Sequence, residues 1–317
     1  MQKNFETVIG LEVHSQLMTK SKMFCSCRSD YQNSDPNTRV CPVCSGMPGM
    51  LPVLNKKAIE LVIETGLSLN CNIATETKFD RKNYHYPDLM KGYQISQFDL
   101  PIAQNGFLNI DLPDDSSKTI RIERIHLEED VAKLLHRETF EGEKYTLLDI
   151  NRAGVPLMEI VTHPDLRSPE EAHEYLINLH SIIKFIGVST ANMEEGSFRC
   201  DANISTRYSG ENDYGAKVEI KNVNSFKSVF QALKFEEKRQ RKAISNGERI
   251  IQETRGWSDN RGTTVSQRSK ETASDYRYFP EPDIPPVHID AEWIETIRAK
   301  TSELPKTKAK KYVDAYS

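Results

Sequence analysis

Glu12 and His14 are two residues whose types and spacing could support chemistry. They stand in the run TVIGLEVHSQL (residues 7–17), whose Val, Ile and Leu residues predict a β-strand. Because residues two apart on a strand point to the same face, an acid and an imidazole would project side by side from an apolar stretch. Such a pair could form half of a cation site or an acid/base pair. The alternative is a solvated strand face on which Glu and His simply alternate with core residues.

Two later runs also predict strands with one polar and one apolar face. RCDANIS (residues 199–205) and KVEIK (residues 217–221) alternate polar residues with small or branched apolar ones. By alternation, the polar faces comprise Arg199, Asp201, Asn203 and Ser205 in the first run, and Lys217, Glu219 and Lys221 in the second. Charges of both signs would line these faces, while the opposite faces suit a core.

Acids and cations elsewhere in the chain could join Glu12 and His14. The candidates are Glu12, Glu128, Glu129, Glu159, Asp201 and Glu219 as acids, and Arg152, Arg199, Lys217 and Lys221 as cations. Glu159 interrupts the strand-like run PLMEIV, where an unpaired carboxylate would carry a large desolvation cost. Carboxylates that converge on an oxygen-preferring cation, with basic residues opposite, are typical of phosphoryl-transfer sites that use Mg²⁺. Ordinary cross-strand salt bridges are the alternative.

Four of the six cysteines fall in one short window. The pairs Cys25-Ser-Cys27 and Cys41-Pro-Val-Cys44 flank a loop rich in Asn, Asp, Ser and Pro, and could place four thiolates tetrahedrally around Zn²⁺. We expect a structural zinc knuckle over residues 25–44, because four thiolates leave no open position for catalysis. A redox pair is the alternative. Cys71 and Cys200 stand among apolar residues and are predicted to be small core residues.

The composition indicates a soluble globular protein. The chain has 317 residues, of which 38% are hydrophobic and 28% charged, enough for a sizeable core and about two domains. The net charge of −4 argues against a globally cationic nucleic-acid binder, although it leaves room for a local basic patch. The sequence shows neither a membrane-length apolar run nor a signal-peptide core, so we expect the cytoplasm or an organelle interior.

The order of the predicted elements favours an α+β fold. Helices are predicted over residues 56–69, 168–185 and 225–246, a hairpin tip over 113–117, strands around 145–160, a long loop over 77–97, an irregular stretch over 256–286 and a basic helix-like tail over 306–311. Residues 121–135 are ambiguous between strand and helix. Because strands come in groups with helices between the groups, we expect an antiparallel or mixed sheet with helices on one face. The sequence holds no glycine-rich phosphate loop, so a nucleotide would bind on the sheet face through side chains.

Several runs together resemble the B subunit of the bacterial and organellar aspartyl/glutamyl-tRNA amidotransferase family, a glutamine-dependent heterotrimer. They are ETVIGLEVHSQL, KFDRKNYHYPD with GYQISQFD, HLEEDVAKL, DINRAGVPLMEIV, MEEGSFRCDANIS, KVEIKNVNSF and DYRYFPEPDIPP. The resemblance implies a cradle-shaped domain whose sheet is similar to that of glutamine-synthetase-like and guanido-kinase enzymes.

The resemblance also implies a carbon–nitrogen ligase chemistry. ATP would phosphorylate the side-chain carboxylate of Glu or Asp mischarged on tRNA-Gln or tRNA-Asn, with Mg²⁺ serving the phosphoryl transfer. Ammonia released from glutamine by an amidase-type A subunit would arrive through a channel and displace phosphate. A small C subunit would complete the assembly.

Carried over by position, the family's metal residues fall on His14, Glu129 and Glu159, with Glu12, Glu128 and Asp201 nearby. The cations Arg152, Arg199, Lys217 and Lys221 are the candidates for binding ATP or phosphate. The loop that carries Lys82, Asn83, Tyr84 and Tyr86 matches the part of the family that lines the ammonia path. The four clustered cysteines match the zinc-bearing version of the family, in which the zinc would be structural.

The resemblance gives a domain prediction as well. Family members continue into a helical domain and a small tail domain that bind tRNA, whereas this chain stops at Ser317. We therefore expect residues 1–290 to form the catalytic cradle and residues 291–317 to begin the helical domain, with the tail domain absent.

Two other functions fit parts of the pattern. A non-catalytic zinc-bearing module that positions tRNA or partner subunits would use the cysteine knuckles and the basic tail, but it gives Glu129 and Glu159 no reason to share a site. A stand-alone ligase or kinase of the glutamine-synthetase-like type would turn over ATP with a small amino acid and without partners.

Overall fold

The structure is a computed structural model that describes residues 4–112, 114, 116–269, 276–301 and 303–316. The described residues form sixteen strands, five α-helices and one 3-10 turn over Ile150–Arg152. The strands are β1 Phe5–Gln16, β2 Asn72–Ile73, β3 Glu76–Thr77, β4 Asp80–Asn83, β5 Tyr93–Ser96, β6 Ala103–Asp111, β7 Ser117–Glu129, β8 Lys133–Glu138, β9 Lys144–Asp149, β10 Pro156–Thr162, β11 Phe198–Tyr208, β12 Val218–Lys221, β13 Glu253–Ser258, β14 Thr263–Ser269, β15 Phe279–Pro280 and β16 Val287–His288. The helices are α1 Lys56–Ser68, α2 Pro169–Phe185, α3 Phe226–Ser245, α4 Ala291–Arg298 and α5 Pro305–Tyr316.

Twelve of the strands form one mixed sheet. Its main path runs β14-β13-β12-β11-β1-β10-β7-β5-β4-β15, and β6 pairs with β7 and with β2 beside that path. Among the described strand pairs, β12 and β13 run parallel and the others run antiparallel. The strands β8 and β9 form a separate hairpin, and β3 pairs with β16. The predicted α+β class with a mixed sheet is therefore confirmed.

Strand β1 lies in the middle of the sheet, and its side chains alternate between the two faces. Ile9, Leu11 and Val13 are buried in the core, whereas Glu12 and His14 project from the other face and are half-buried. The helices α1, α2 and α3 contribute their buried apolar residues to the same core and contact β7, β6 and β11 respectively. The alternation of residue types thus leaves the second face of the sheet for polar side chains.

The three predicted long helices are confirmed to within about two residues at each end. Ser168 caps α2, because its Oγ accepts a hydrogen bond from the Glu171 backbone N–H at 3.1 Å. Ser225 caps α3 in the same way through the Ser228 backbone N–H at 3.0 Å. The basic tail over residues 306–311 lies within α5, as predicted.

The predicted loop over residues 77–97 is wrong, because it contains the paired strands β4 and β5. Strand β4 reads DRKN, which is poor in residues that favour strands. Distant partners stabilise it instead: Arg81 Nε and Nη2 donate to the Glu281 carboxylate at 2.6 and 2.8 Å. Asp80 Oδ2 also accepts from the Phe98 backbone N–H at 3.2 Å. A tertiary contact across 200 residues therefore outweighs the local propensity.

The predicted irregular stretch over residues 256–286 is also wrong in part. It contains the end of β13 together with β14, which form a hairpin, and β15, which pairs with β4. Residues 121–135 belong to β7 as far as Glu129 and then enter β8. The predicted hairpin tip at 113–117 joins β6 to β7, although residues 113 and 115 lie outside the described residues, as does Asp275 in DYRYFPEPDIPP. No helix in the described part of the chain is long and apolar enough to cross a membrane.

Candidate functional site

Three neighbouring strands bring His14, Glu128 and Glu159 together on the polar face of the sheet. His14 on β1 stands opposite Glu159 on β10, and β10 pairs with β7, which carries Glu128. His14 Nε2 lies 3.3 Å from Glu159 Oε2 and 3.8 Å from Glu128 Oε1. One ligand atom from each of the three residues lies within 4.8 Å of the others. One imidazole and two carboxylates at these distances could hold a divalent cation.

The electrostatics of this group favour an imidazolium beside a carboxylate. Burial lowers the pKa of His14, but Glu159 and Glu128 outweigh that effect and raise it to about 9. Burial raises the pKa of Glu159, yet His126 and His14 hold it well below its usual range. A ligating imidazole must be neutral, so a bound cation would replace the proton of His14.

The structure does not bring Glu129 into this group. Successive residues of a strand point to opposite faces, so Glu129 faces away from Glu128. Glu129 Oε1 accepts from the Ile95 backbone N–H at 3.0 Å and pairs with Lys91 Nζ at 2.6 Å. Its side chain borders a separate cavity of about 250 Å³ that Cys44 also lines. Of the predicted metal residues, His14 and Glu159 therefore meet, and their third neighbour is Glu128.

A second acidic group lies beside the first on the same face. The carboxylates of Glu12, Asp201 and Glu219 lie within 4.8 Å of one another. Lys221 Nζ already pairs with Asp201 at 2.5 Å and with Glu219 at 3.2 Å. Glu12 accepts from Asn203 Nδ2 at 2.8 Å. The structure thus brings Glu12 and Asp201 together with Glu219, in a second group that already contains a cation.

The other predicted cations occupy different environments. Arg199 lies opposite His14 in the register, and its Nη2 pairs with Asp130 Oδ2 at 3.2 Å. Arg152 donates to the backbone carbonyl groups of residues 131 and 132 at 2.8 and 2.9 Å. Lys217 is exposed beside a cavity of about 350 Å³ that Glu12 also lines. Of these three, Arg199 lies next to the His14 group by register, whereas Arg152 binds the backbone that connects β7 to β8.

Lys82 is placed toward the first acidic group by strand β4. Burial lowers the pKa of Lys82, but Glu128, Tyr278 and Glu159 outweigh this and raise it above its usual range. Its Nζ also lies 5.0 Å from the centre of the Tyr276 ring. Lys82 therefore stays charged in the field of the two carboxylates.

The remaining residues of the predicted ammonia path differ in their contacts and exposure. Asn83 Nδ2 donates to the Arg277 carbonyl group at 2.8 Å. The Tyr84 ring stands edge-on to Tyr276 at 5.7 Å. The Tyr86 side chain is 58% exposed, so it projects into solvent. The assignment of these residues to an ammonia path stays a prediction.

Sequence reasoning missed two buried residues at this site. His126 Nε2 lies 3.3 Å from Glu159 Oε2, and its Nδ1 is buried without a hydrogen-bond partner among the described residues. Asp130 accepts from Gln16 Nε2 at 2.7 Å, and although burial raises its pKa, Arg199 and Arg152 outweigh that effect and lower it. The sequence could have indicated His126, because alternation along β7 places it on the same face as Glu128.

The four clustered cysteines meet in the loop between β1 and α1. One sulfur from each of Cys25, Cys27, Cys41 and Cys44 lies within 4.8 Å of the others, and the Cys41 and Cys44 sulfurs are 3.9 Å apart. Zinc–sulfur bonds of about 2.3 Å in a tetrahedron would separate the sulfurs by about 3.8 Å. The group therefore fits a four-thiolate metal centre. A hydrogen bond from the Cys25 thiol lowers the pKa of Cys44 well below its usual range, and the nearby Lys22 ammonium adds to this effect.

The class of protein follows from a comparison with known families. Residues 7–295 match the family model described as the GatB/GatE catalytic domain. The match covers most of the chain, so the chain belongs to this family, and the resemblance inferred from its sequence runs is confirmed.

Individual relatives are bacterial proteins that carry the name of the B subunit of aspartyl/glutamyl-tRNA(Asn/Gln) amidotransferase. The chain is 63% identical over 312 residues to the one from Dehalococcoides mccartyi strain CBDB1, and the alignment covers 98% of this chain and 63% of the relative. It is 59% identical over 301 residues to the one from Thermomicrobium roseum, covering 95% of this chain and 62% of the relative. The chain thus spans a little under two thirds of the length of these relatives.

Proposed function

We propose that this chain is the ATP-dependent transamidation component of a tRNA amidotransferase. The γ-phosphoryl group of ATP would transfer to the side-chain carboxylate of Glu or Asp on a mischarged tRNA, giving an acyl phosphate and ADP. Ammonia would then attack the acyl carbon and release inorganic phosphate, leaving the amide. The name that these relatives carry supports this substrate class.

The observation that carries the proposal is the convergence of His14, Glu128 and Glu159 on the polar face of the sheet. These three residues would hold Mg²⁺, which neutralises phosphate charge when it is bound. Lys82 and Arg199 stand near the same group and would bind phosphate or carboxylate oxygens as that charge develops. This is an arrangement of cations and carboxylates suited to phosphoryl transfer without a glycine-rich loop.

The geometry changes one detail of the predicted site. We propose Glu128 as the third metal ligand in place of Glu129, because Glu129 is engaged by Lys91 and by the backbone of Ile95. Glu12 and Asp201 would lie beside the bound nucleotide, with Lys221 balancing their charge. Lys217, at the edge of the neighbouring cavity, is exposed and could reach a phosphate.

Several finer features belong to the same proposal. The sheet would form a cradle similar to that of glutamine-synthetase-like and guanido-kinase enzymes, over about residues 1–290, which the family match over 7–295 supports. The cysteine group would hold a structural zinc ion. An amidase-type A subunit and a small C subunit would be the partners, in keeping with the word "subunit" in the relatives' name. The assembly would work in the cytoplasm or an organelle interior.

The proposal is tested by ATP-dependent conversion of Glu-tRNA to Gln-tRNA, with ammonium as the nitrogen donor. The assay uses the complete protein assembled with its partner subunits, with and without Mg²⁺. Glu128→Gln and Glu159→Gln should each lower kcat by about 100-fold or more, because each removes a carboxylate that would hold the Mg²⁺ ion needed to neutralise phosphate charge.

Glu170→Gln is the matched control for that assay. It makes the same chemical change at an exposed position on α2, outside the polar face of the sheet, and should leave kcat unchanged. If Glu128→Gln and Glu159→Gln both kept activity within threefold of the native protein, phosphoryl transfer would have to occur elsewhere. The chain would then act as a module that positions tRNA.

A further inference from the structure

Lys22 is a fully buried lysine next to the cysteine group. Its side chain is among the largest with no exposed surface, whereas lysine is rarely fully buried unless its charge is paired. Its Nζ donates to the Arg39 carbonyl group at 2.7 Å and lies 3.5 Å from both the Ile150 carbonyl oxygen and Cys44 Sγ. Within the described part of the chain, no carboxylate forms an ion pair with it.

A buried ammonium without an anion nearby is costly, so the negative charge has to come from another group. Carbonyl oxygens satisfy its hydrogen bonds but carry no formal charge. Cys44, in contact with Lys22, can become an anion, and its sulfur belongs to the group of four. The position of Lys22 is therefore explained if those sulfurs are thiolates.

Gly154 packs against this contact. A Cβ at its position would stand 3.5 Å from Lys22 Cδ and 3.6 Å from Cys44 Cβ, which is ordinary van der Waals contact, so its φ of +82° is what favours glycine there. The Gly154 carbonyl group accepts from the Met23 backbone N–H at 2.6 Å, which fixes the segment that carries Lys22. The lysine and the cysteine are thus held together from two separate parts of the chain.

We propose that Lys22 is the built-in counter-charge of a four-thiolate zinc centre formed by Cys25, Cys27, Cys41 and Cys44. Four thiolates around Zn²⁺ carry a net charge of −2, and an ammonium group in contact with one of them halves that charge in a poorly solvated site. Groups outside the ligand set commonly tune metal affinity in this way. This inference rests on the proposed zinc site. The simpler role for Lys22 is a clamp between the carbonyl groups of Arg39 and Ile150.

The counter-charge is tested by measuring the zinc dissociation constant of the whole chain in competition with a chromophoric chelator. Lys22→Met removes the charge and keeps most of the stem. It should bind zinc at least tenfold more weakly than the native chain, with folding checked by circular dichroism. Lys20→Met is the matched control, because Lys20 is exposed nearby and the change in net charge is equal.

Each outcome of this titration decides something. Native protein that binds no zinc overturns both the zinc site and the counter-charge. If native protein binds zinc, a loss of less than tenfold in Lys22→Met, or an equal loss in Lys20→Met, overturns the counter-charge alone and leaves the clamp. A tenfold or greater loss that Lys20→Met does not reproduce supports the counter-charge.

A measurement on the native chain decides the question if Lys22→Met does not fold. Amine-reactive labelling, read by mass spectrometry, compares Lys22 with Lys20 in zinc-loaded and zinc-stripped protein. Lys22 should be protected with zinc and become labelled at least tenfold faster after stripping, while Lys20 should label equally in both states. Equal protection of Lys22 in both states would show that the sulfur group is not its charge partner.

Discussion

At the residue scale, strand alternation sorts the acids of this chain into separate groups. Glu12 and His14 share a face of β1, yet each meets different partners from the neighbouring strands. Glu128 and Glu129 are adjacent in sequence and face opposite ways, so only Glu128 joins His14. Position in a motif alone does not distinguish these two acids, whereas the pleat of the strand does.

The six cysteines also fall into two kinds at this scale. Burial raises the pKa of Cys71 to about 12 and raises that of Cys200 well above its usual range. Because the thiolate is the reactive species, both should resist iodoacetamide at pH 8 in the folded, chelator-treated protein. The pKa of Cys44 is lowered instead, so peptide mass mapping should find Cys44 alkylated at least tenfold faster than Cys71 and Cys200. Rapid labelling of Cys71 before unfolding would contradict its predicted place in the core.

At the element scale, the sequence predicted the regular elements well and the irregular ones poorly. The three long helices carry capping serines or asparagine and apolar spacing, so local rules suffice for them. Strands β1, β10, β11 and β12 show alternation or a continuous apolar run, which is also a local signal. Strand β4 has neither; it pairs with β5, and Glu281, 200 residues away, binds its Arg81.

The bond between Arg81 and Glu281 makes a testable element-scale prediction. Glu281 is buried, so Arg81→Met should leave an uncompensated carboxylate and lower the free energy of unfolding by about 3 kcal/mol. Adding Glu281→Leu should recover much of that loss, because no buried charge then remains. Urea unfolding of both single variants and the double variant measures the coupling. Strictly additive effects would mean that the pair does not hold β15 to β4.

At the scale of the whole molecule, one face of the sheet packs against helices and the other carries charged side chains. The metal ligands that we propose come from positions 14, 128 and 159, on three strands that are adjacent only after folding. The sequence could indicate that such a face existed, because acids interrupt apolar strands. It could not indicate the register of β1 against β10 and of β10 against β7, which decides which acids meet. All three positions lie within residues 7–295, the range that matches the family model.

Mn²⁺ binding to this chain, followed by electron paramagnetic resonance, tests the central claim most directly. Mn²⁺ stands in for Mg²⁺ because both prefer oxygen ligands and octahedral geometry. Glu128→Gln should weaken Mn²⁺ binding at least tenfold, whereas Glu129→Gln and the exposed control Glu170→Gln should stay within threefold of the native chain. Loss of binding in Glu129→Gln with binding retained in Glu128→Gln would contradict the site at His14, Glu128 and Glu159.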